Sequence, residues 1–233
     1  MCAPRCGSRW HASGRRWAAT SWCGGRAISS RRTCGSGRVN HRSPAAGLGW
    51  RRAAVLILFD ADRDPRVVLT ERSSRLRQHA GQISFPGGRV DPGESARAAA
   101  LREAWEECAI VDAGVRVLGE LPASSLPVSS FAVTPVVAVW DGTGPLEPTA
   151  SPDEVDAVHM VKVADLADPD NRGTWRQART TASGGARLGG AAFAVDGLVI
   201  WGFTAMILDG VLEVAGWTRP WDTERVIDVL PKS

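Results

Sequence analysis

The feature that most constrains this chain is the stretch at residues 87–109, GGRVDPGESARAAALREAWEECA, which places two glycine turns before an acidic helix. Residues Ser95–Cys108 are predicted to be helical, because apolar residues recur at the i, i+3, i+4 and i+7 spacing of one helix face. That apolar stripe, which we expect to face a core, consists of Leu101, Ala104, Trp105 and Cys108. The opposite face carries three carboxylates: Glu103, Glu106 and Glu107.

The three stacked carboxylates need a counter-charge, because like charges at these spacings repel one another by roughly 0.2–0.5 kcal/mol per pair. Only Arg97 and Arg102 lie near them in sequence, and no lysine is mixed in. Divalent cations would compensate such a face, since Mg²⁺-like ions prefer carboxylate and water oxygens. An ordinary solvated helix face would have the same residues, so the glutamates alone leave both interpretations open.

The glycines favour the metal site. Gly87 and Gly88 follow Pro86 at the end of a short apolar run. A glycine backbone can approach a ligand more closely than that of any other residue. A second turn at Pro92–Gly93 then leads into the helix. A strand, a glycine loop and a helix that carries carboxylates together predict a site for a metal-bound phosphate group.

The same segment resembles the signature of the Nudix hydrolases, which is a Gly, five residues, a Glu, seven residues and then Arg-Glu-apolar-x-Glu-Glu-x-Gly-apolar. Eight of the nine fixed positions agree over 23 residues, namely Gly88, Glu94, Arg102, Glu103, Ala104, Glu106, Glu107 and Ile110. The exception is Ala109, where the family has the glycine that usually ends the helix in a left-handed conformation. An alanine there would cost on the order of 1 kcal/mol, so we expect the helix end to differ or to be less stable.

The resemblance implies a fold and a set of roles. The fold is a Nudix-type α/β/α sandwich with a mixed β-sheet, preceded here by an irregular N-terminal segment. The expected ligands of Mg²⁺ or Mn²⁺ are Glu103, Glu106, Glu107 and the carbonyl of Gly88. Glu94 would pair with Arg102 and fix the helix against the loop. Together with the three helix glutamates, these two residues make up the expected catalytic set. The base that deprotonates the attacking water would be a signature glutamate or a more distant one, such as Glu120 or Glu154.

Upstream, residues 69–88 (LTERSSRLRQHAGQISFPGG) resemble the additional signature of the coenzyme A pyrophosphatase branch of that family. The residues assigned to substrate binding are Arg72, Arg77, His79, Gly87 and Gly88. Basic side chains directly before an acidic site suit coenzyme A, which carries a 3′-phosphate besides its pyrophosphate. The implied reaction splits coenzyme A, or an acyl or oxidised derivative, into 3′,5′-ADP and 4′-phosphopantetheine or its acyl form.

Three alternatives remain open. A Nudix enzyme for ADP-ribose or for a nucleoside triphosphate would carry the same signature. A catalytically silent Nudix-fold binding protein would keep the fold, although the four signature glutamates are all present here. A nucleic-acid binder would use the arginines of the first 50 residues and would bind in a strongly salt-dependent way. We expect the enzyme, with a small-molecule substrate and no nucleic-acid partner.

The first 50 residues differ from the rest in composition. They hold nine arginines, four of the five cysteines and no acidic residue, which leaves 19 basic and 25 acidic side chains, a net charge of −6, in residues 51–233. The cysteines lack the paired spacing of a metal site. We expect residues 1–50 to be a disordered leader, or to result from a start site assigned too far upstream, and residues 51–233 to form the hydrolase domain.

The remaining pattern predicts strands interleaved with few helices, and no apolar run is long enough to cross a bilayer. The expected strands are a hairpin within residues 53–71 and later strands at 115–121, 131–142 and 155–163; Pro135 indicates an edge strand or a bulge. Loops are expected at 141–154 and 171–190, and helices at 200–216 and 222–231. We expect a soluble, cytoplasmic protein and leave a homodimer open.

Overall fold

The computed structural model describes residues 49–76, 79–126, 130–142, 144–181 and 184–229. Within them the elements follow in this order: β1 (Arg51–Asp60), β2 (Arg66–Arg72), β3 (Ile83–Ser84), β4 (Gly87–Arg89), α1 (Ala96–Cys108), β5 (Val115–Glu120), β6 (Ser124–Leu126), β7 (Phe131–Trp140), β8 (Val155–Lys162), α2 (Val163–Ala167), β9 (Arg172–Thr181), β10 (Gly184–Val195), β11 (Leu198–Ile200) and α3 (Gly202–Val214). The predicted leader at residues 1–50 lies almost wholly outside the described residues, so the domain boundary stays a prediction.

Strand β1 lies at the centre of the main, mixed sheet. It pairs antiparallel with β2 and β4, and parallel with β7 over its whole length. Strand β2 adds β3 and β8, and β7 adds β5 and β6, all antiparallel. The predicted hairpin and the three later strands are therefore confirmed. The unbroken apolar run of β1 suits this position, because a central strand is covered on both faces.

Successive side chains of β1 enter two different cores. Ile57 and Phe59 pack in the core that includes α3, whereas Leu56 and Leu58 pack in the core that includes α1. This alternation follows from the two-residue period of a strand. The layers are helix, sheet and helix, which confirms the predicted α/β/α sandwich. Among the described residues, no helix combines the length and the apolar character that crossing a bilayer requires.

Pro135 does not lie on an edge strand, so that part of the prediction is wrong. It belongs to β7, an interior strand, and is paired with Val55 of β1. On its other side, the Pro135 carbonyl accepts a 2.8 Å hydrogen bond from the Leu121 N–H. A strand residue directs its N–H and C=O to the same side, and Leu121 lies between the end of β5 and the start of β6. The missing N–H of proline thus falls at an interruption in the neighbouring strands.

Residues 171–190 were predicted to be a loop, and this is wrong for the described part of the stretch. Strands β9 and β10 pair antiparallel there, and β11 joins β10 to complete a second sheet. Glycine, threonine and arginine dominate the stretch, so it lacks the apolar alternation by which strands are predicted. Backbone pairing between the two strands, rather than a strong local pattern, defines this hairpin.

The helix expected at 200–216 is confirmed as α3, but the one expected at 222–231 is not found in residues 222–229, which the structure describes. The chain there runs beside β9: the Thr174 N–H donates to the Arg225 carbonyl and the Ile227 N–H donates to the Thr174 carbonyl, both at 2.8 Å. A Cβ on Gly173 would lie 2.8 Å from the Arg225 oxygen. Pairing with a distant strand has overridden local helix propensity.

Helix α1 confirms the predicted helix, but its rotation about its own axis differs from the prediction. Ala104 and Cys108 are buried as expected, whereas Trp105 is 60% exposed and Glu107 only 3%. The other buried residues of the helix are alanines: Ala96, Ala99 and Ala100. These small side chains occupy little volume between the backbones of α1 and the sheet, so the helix can pack close to the strands. The predicted core stripe is therefore wrong for Trp105.

Both ends of α1 are capped. At the start, the Ser95 hydroxyl accepts a 3.1 Å hydrogen bond from the Ala98 N–H. At the end, Ala109 adopts a left-handed conformation with φ of 55°, and the Ile110 N–H donates to the Ala104 carbonyl at 3.2 Å. Helix α1 thus ends in the left-handed conformation that usually carries a glycine, so the expectation that the helix end would differ from the family is wrong. The strain of a left-handed alanine remains at Ala109.

We predict that Ala109→Gly stabilises the protein by about 1 kcal/mol, because glycine adopts this conformation without strain. Thermal unfolding followed by circular dichroism should show a midpoint a few degrees higher. The matched control is Ala98→Gly on the exposed, right-handed part of α1, which should lower stability by roughly 0.5–1 kcal/mol. Equal shifts in the same direction for both variants would contradict the strain at Ala109.

Candidate functional site

The glycine loop lies against the sheet on one side and α1 on the other. In β4, Gly87 is paired with Val55 of β1, and a Cβ at Gly87 would lie 2.4 Å from the Ala54 carbonyl oxygen. A Cβ at Gly88 would lie 2.3 Å from a carboxylate oxygen of Glu103. At Gly87 a side chain would meet the backbone of β1, so this position requires glycine. At Gly88 a side chain would displace the Glu103 carboxylate from its place beside the loop.

Glu107 is the most buried acid of the site. Its Oε2 accepts a 3.0 Å hydrogen bond from the Gly87 N–H. Burial raises the pKa of the Glu107 carboxyl to about 7, with the negative charges of Glu103 and Glu154 adding to the rise, while the Gly87 N–H and Arg72 oppose it. A carboxylate in this position is poorly compensated by the protein itself, so a bound cation would stabilise it.

Glu103 and Glu106 share one arginine. Arg102 Nη1 donates to Glu103 Oε1 at 2.9 Å and to Glu106 Oε2 at 3.0 Å. The pKa of Glu103 is nevertheless raised, chiefly because burial disfavours its charged form, and Arg102 only partly offsets this. Glu106 is more open, with 47% of its side chain exposed. The two acids therefore face solvent to different extents but have the same cationic partner.

The other edge of Arg102 holds the loop that precedes the helix. Its Nε and Nη2 donate to the two carboxylate oxygens of Glu94 at 3.1 and 3.2 Å, and Nη2 also donates to the Arg89 carbonyl at 2.9 Å. The Arg102 hydrogen bond lowers the pKa of Glu94, helped by the Asp91 N–H. This two-pronged contact fixes the loop to α1. The catalytic roles of Glu94 and Arg102 stay predictions.

The expected loop at residues 141–154, which carries the base candidate Glu154, is hydrogen-bonded to the end of α1. The Ser151 N–H donates to the Glu107 carbonyl and the Thr149 N–H to the Cys108 carbonyl, both at 2.9 Å. At the end of this loop, Glu154 raises the pKa values of both Glu103 and Glu107 by its negative charge. These contacts use backbone groups of residues 149–151, so side-chain pattern alone gave no signal for them.

The residues predicted to bind substrate are only partly brought together. Arg72 ends β2 and interacts with the carboxylate of Glu107 through its charge. His79 is exposed in the following loop, where its Nδ1 lies 2.8 Å from Gln82 Oε1. Arg77 lies outside the described residues, so its predicted role is left without a structural account. Gly87 and Gly88 lie directly at the carboxylates.

The second base candidate, Glu120, lies at the exposed end of β5. It pairs with Val136 on the side of the sheet formed by β5 and β7. The charges that perturb Glu103 and Glu107 include that of Glu154 but not that of Glu120. Of the two candidates outside the signature, Glu154 is thus the one in electrostatic contact with the cluster.

The carboxylates of Glu103, Glu106 and Glu107 are ligands that suit a divalent cation, although their side chains do not converge on one point. Among the described residues, no three acidic, histidine or cysteine side chains converge closely enough to form a ready-made metal site. The reason is visible in the contacts, because Arg102 holds Glu103 and Glu106 while the Gly87 N–H holds Glu107. Glu107, which is buried, and Glu103, which is partly buried, both have raised pKa values and offer hard oxygen ligands, which suit Mg²⁺ or Mn²⁺.

Comparison with known proteins agrees with this architecture. The model of the NUDIX domain matches residues 49–183. The uncharacterized Nudix hydrolase NudL of Escherichia coli K12 is 48% identical over 118 residues, which cover 50% of this chain and 60% of that protein. NudL of Shigella boydii gives the same values. The chain thus spans only 60% of the length of these relatives.

Among solved structures, RenU, a Nudix hydrolase from M. smegmatis, is 18% identical and gives a TM-score of 0.50 over 74% of this chain and 89% of that one. At this identity the likeness concerns the fold alone. The fold, the glycine loop and the acidic helix are those of a NUDIX domain. The chain belongs to the Nudix family, and Nudix hydrolases generally use divalent metals.

We predict that Glu107→Gln stabilises the protein in the presence of a chelator, by an amount that grows as the pH rises. The folded-state pKa of Glu107, about 7, exceeds the ordinary value of 4.5 for a glutamate. The folded state therefore binds more protons than the unfolded state between these pH values. Wild-type stability falls over this window, by up to about 3 kcal/mol in total, whereas a glutamine does not titrate.

Unfolding midpoints measured at pH 5 and at pH 8 should show the larger gain for Glu107→Gln at pH 8. Glu120→Gln on the exposed strand is the control and should leave both midpoints unchanged. A gain that is equal at the two pH values would show that Glu107 is not the titrating group. Adding Mg²⁺ should raise the wild-type midpoint more than that of Glu107→Gln.

Proposed function

We propose that the protein hydrolyses the pyrophosphate bond of coenzyme A, or of its acyl or oxidised derivatives, in a divalent-metal-dependent reaction that yields 3′,5′-ADP and 4′-phosphopantetheine or its acyl form. The observation that carries the reaction class is the buried Glu107 carboxylate at the Gly87 N–H, next to Glu103. This arrangement concentrates negative charge where no protein cation fully compensates it. A metal-bound diphosphate would complete that site.

The proposed metal ligands are the carboxylates of Glu103, Glu106 and Glu107 and the carbonyl of Gly88. A bound Mg²⁺ or Mn²⁺ would neutralise the diphosphate and acidify the attacking water. Arg102 Nη1 binds one carboxylate oxygen each of Glu103 and Glu106, so the second oxygen of each would be available to the ion. The bonds from Arg102 Nε and Nη2 to Glu94 can remain. Glu94 would thereby keep the loop and the helix in register during binding and catalysis.

Glu154 is the proposed general base. It is exposed at the end of the loop that closes the site, and its charge acts on Glu103 and Glu107. In the part of the chain that the structure describes, its carboxylate is assigned no ion pair. A carboxylate that is solvated and close to the ligands can accept a proton from a water held between them.

The substrate assignment rests on the basic residues before the site. Arg72 is near enough to Glu107 for its charge to lower the pKa of that carboxyl. In the proposal, Arg72 contacts the diphosphate, while Arg77 and His79 serve the 3′-phosphate of coenzyme A. ADP-ribose and nucleoside triphosphates lack that 3′-phosphate, so they are the substrates that distinguish this proposal from another Nudix activity.

Turnover of coenzyme A, ADP-ribose and a nucleoside triphosphate should be compared at equal concentration with Mg²⁺ and with Mn²⁺. We expect coenzyme A to be cleaved fastest, and mass spectrometry to identify 3′,5′-ADP and 4′-phosphopantetheine. 3′-Dephospho-coenzyme A is the matched control, and its kcat/KM should be lower by about tenfold or more if arginines bind the missing phosphate. Faster cleavage of ADP-ribose would refute the coenzyme A assignment and keep the reaction class.

Glu154→Gln should lower kcat by about 100-fold or more, because the amide cannot accept the proton of the attacking water. KM and the affinity for Mn²⁺ should change little, since the substitution keeps the size of the side chain and leaves the proposed ligands intact. Steady-state kinetics and calorimetry measure these quantities. Glu120→Gln is again the control, and an equal loss of kcat in both variants would argue against Glu154 as the base.

A further inference from the structure

The outer face of α1 carries an open groove of about 700 Å³. Its middle is apolar: Trp105 is 60% exposed and Val111 is 54% exposed, and Ala98 and Leu101 lie beside them. A large exposed indole on a helix has a substantial apolar surface to remove from water. Such an exposed apolar patch, rimmed by polar residues, is typical of a protein interface.

Opposite charges lie at the two ends of this groove. Arg97 lines it in the first turn of α1, and Asp112 lines it just beyond the end of the helix. Both side chains are exposed. The ion pairs formed between described residues include neither of them. The other charged residues of the groove, Glu94 and Arg102, bind each other instead.

The order of these features along the helix is self-complementary. Arg97 lies eight residues before Trp105 in α1 and Asp112 lies seven residues after it, beyond the helix end, and all three line the groove. A two-fold axis near Trp105 would set two copies of α1 antiparallel. It would bring Arg97 of each copy to Asp112 of the other and place the two apolar middles in contact. An isologous interface requires this kind of self-matching pattern.

We infer that the outer face of α1 is a dimer interface and that its occupant is a second copy of this chain. Charge complementarity decides for a second copy, because the partner must present an acid, an apolar centre and a base in the reverse order, and the same groove of an antiparallel copy does so. The groove is lined by Glu94 and Arg102 of the proposed site, but not by Glu103, Glu106 or Glu107. The inference is independent of the proposed substrate.

Sedimentation velocity of the full chain over a range of concentrations tests this inference. We expect a reversible dimer in the wild type. Trp105→Glu should weaken dimerisation by about tenfold or more, because a charged side chain replaces the apolar centre. Val214→Glu is the matched control, since Val214 is 89% exposed but lies outside the groove, and it should leave the dimer intact. Circular dichroism checks that both variants fold.

Charge-reversal variants test whether Arg97 of one copy contacts Asp112 of the other. Arg97→Asp alone and Asp112→Arg alone should each give monomers, because each places like charges across the interface. An equimolar mixture of these two single variants should form a heterodimer, since each then offers the other an opposite charge at both contacts. The double variant should dimerise again by itself. A monomeric wild type, or a dimer that none of these substitutions changes, would overturn the inference.

Discussion

The hydrogen bond from the Gly87 N–H to the buried Glu107 carboxylate is the contact on which the rest of the site depends. The strand that carries this N–H, β4, lies so close to β1 that a Cβ on Gly87 would come within 2.4 Å of the Ala54 oxygen. The hydrogen bond also fixes the rotation of α1, since Glu107 and the helix alanines must face the sheet together. Burying this carboxylate is costly unless a positive group accompanies it. A cation bound beside Glu107 would therefore offset the cost of burying its carboxylate.

Arg102 supplies the positive charge that partly compensates the other acids of the site. One guanidinium contacts Glu94, Glu103 and Glu106 as well as the Arg89 carbonyl, so the acidic helix needs no lysines on this face. The contact with Glu94 is two-pronged and structural, whereas those with Glu103 and Glu106 involve the single atom Nη1. The Glu94 contact therefore does not depend on the Nη1 contacts with Glu103 and Glu106.

Local sequence patterns predicted the elements that depend on neighbours in the chain. The helix at Ala96–Cys108 has a serine cap and a turn at each end, and β1 and β2 are apolar runs joined by a polar turn. The errors concern contacts between distant segments. Residues 222–229 follow β9 because Thr174 binds them through its backbone, and β9 and β10 define each other. Neither segment has the alternation of apolar and polar residues from which a strand is predicted.

The sequence by itself determined the glycine loop, the acidic helix, the family resemblance and the identity of the acids, since spacing along one helix fixes which residues share a face. Only the tertiary structure decided which face is inward. It buried Glu107, exposed Trp105 and brought Glu154 to the cluster through a loop held by backbone hydrogen bonds. The physical reason is that helical periodicity gives relative angles, whereas the absolute orientation depends on how closely sheet and helix pack and on the partner of each buried charge.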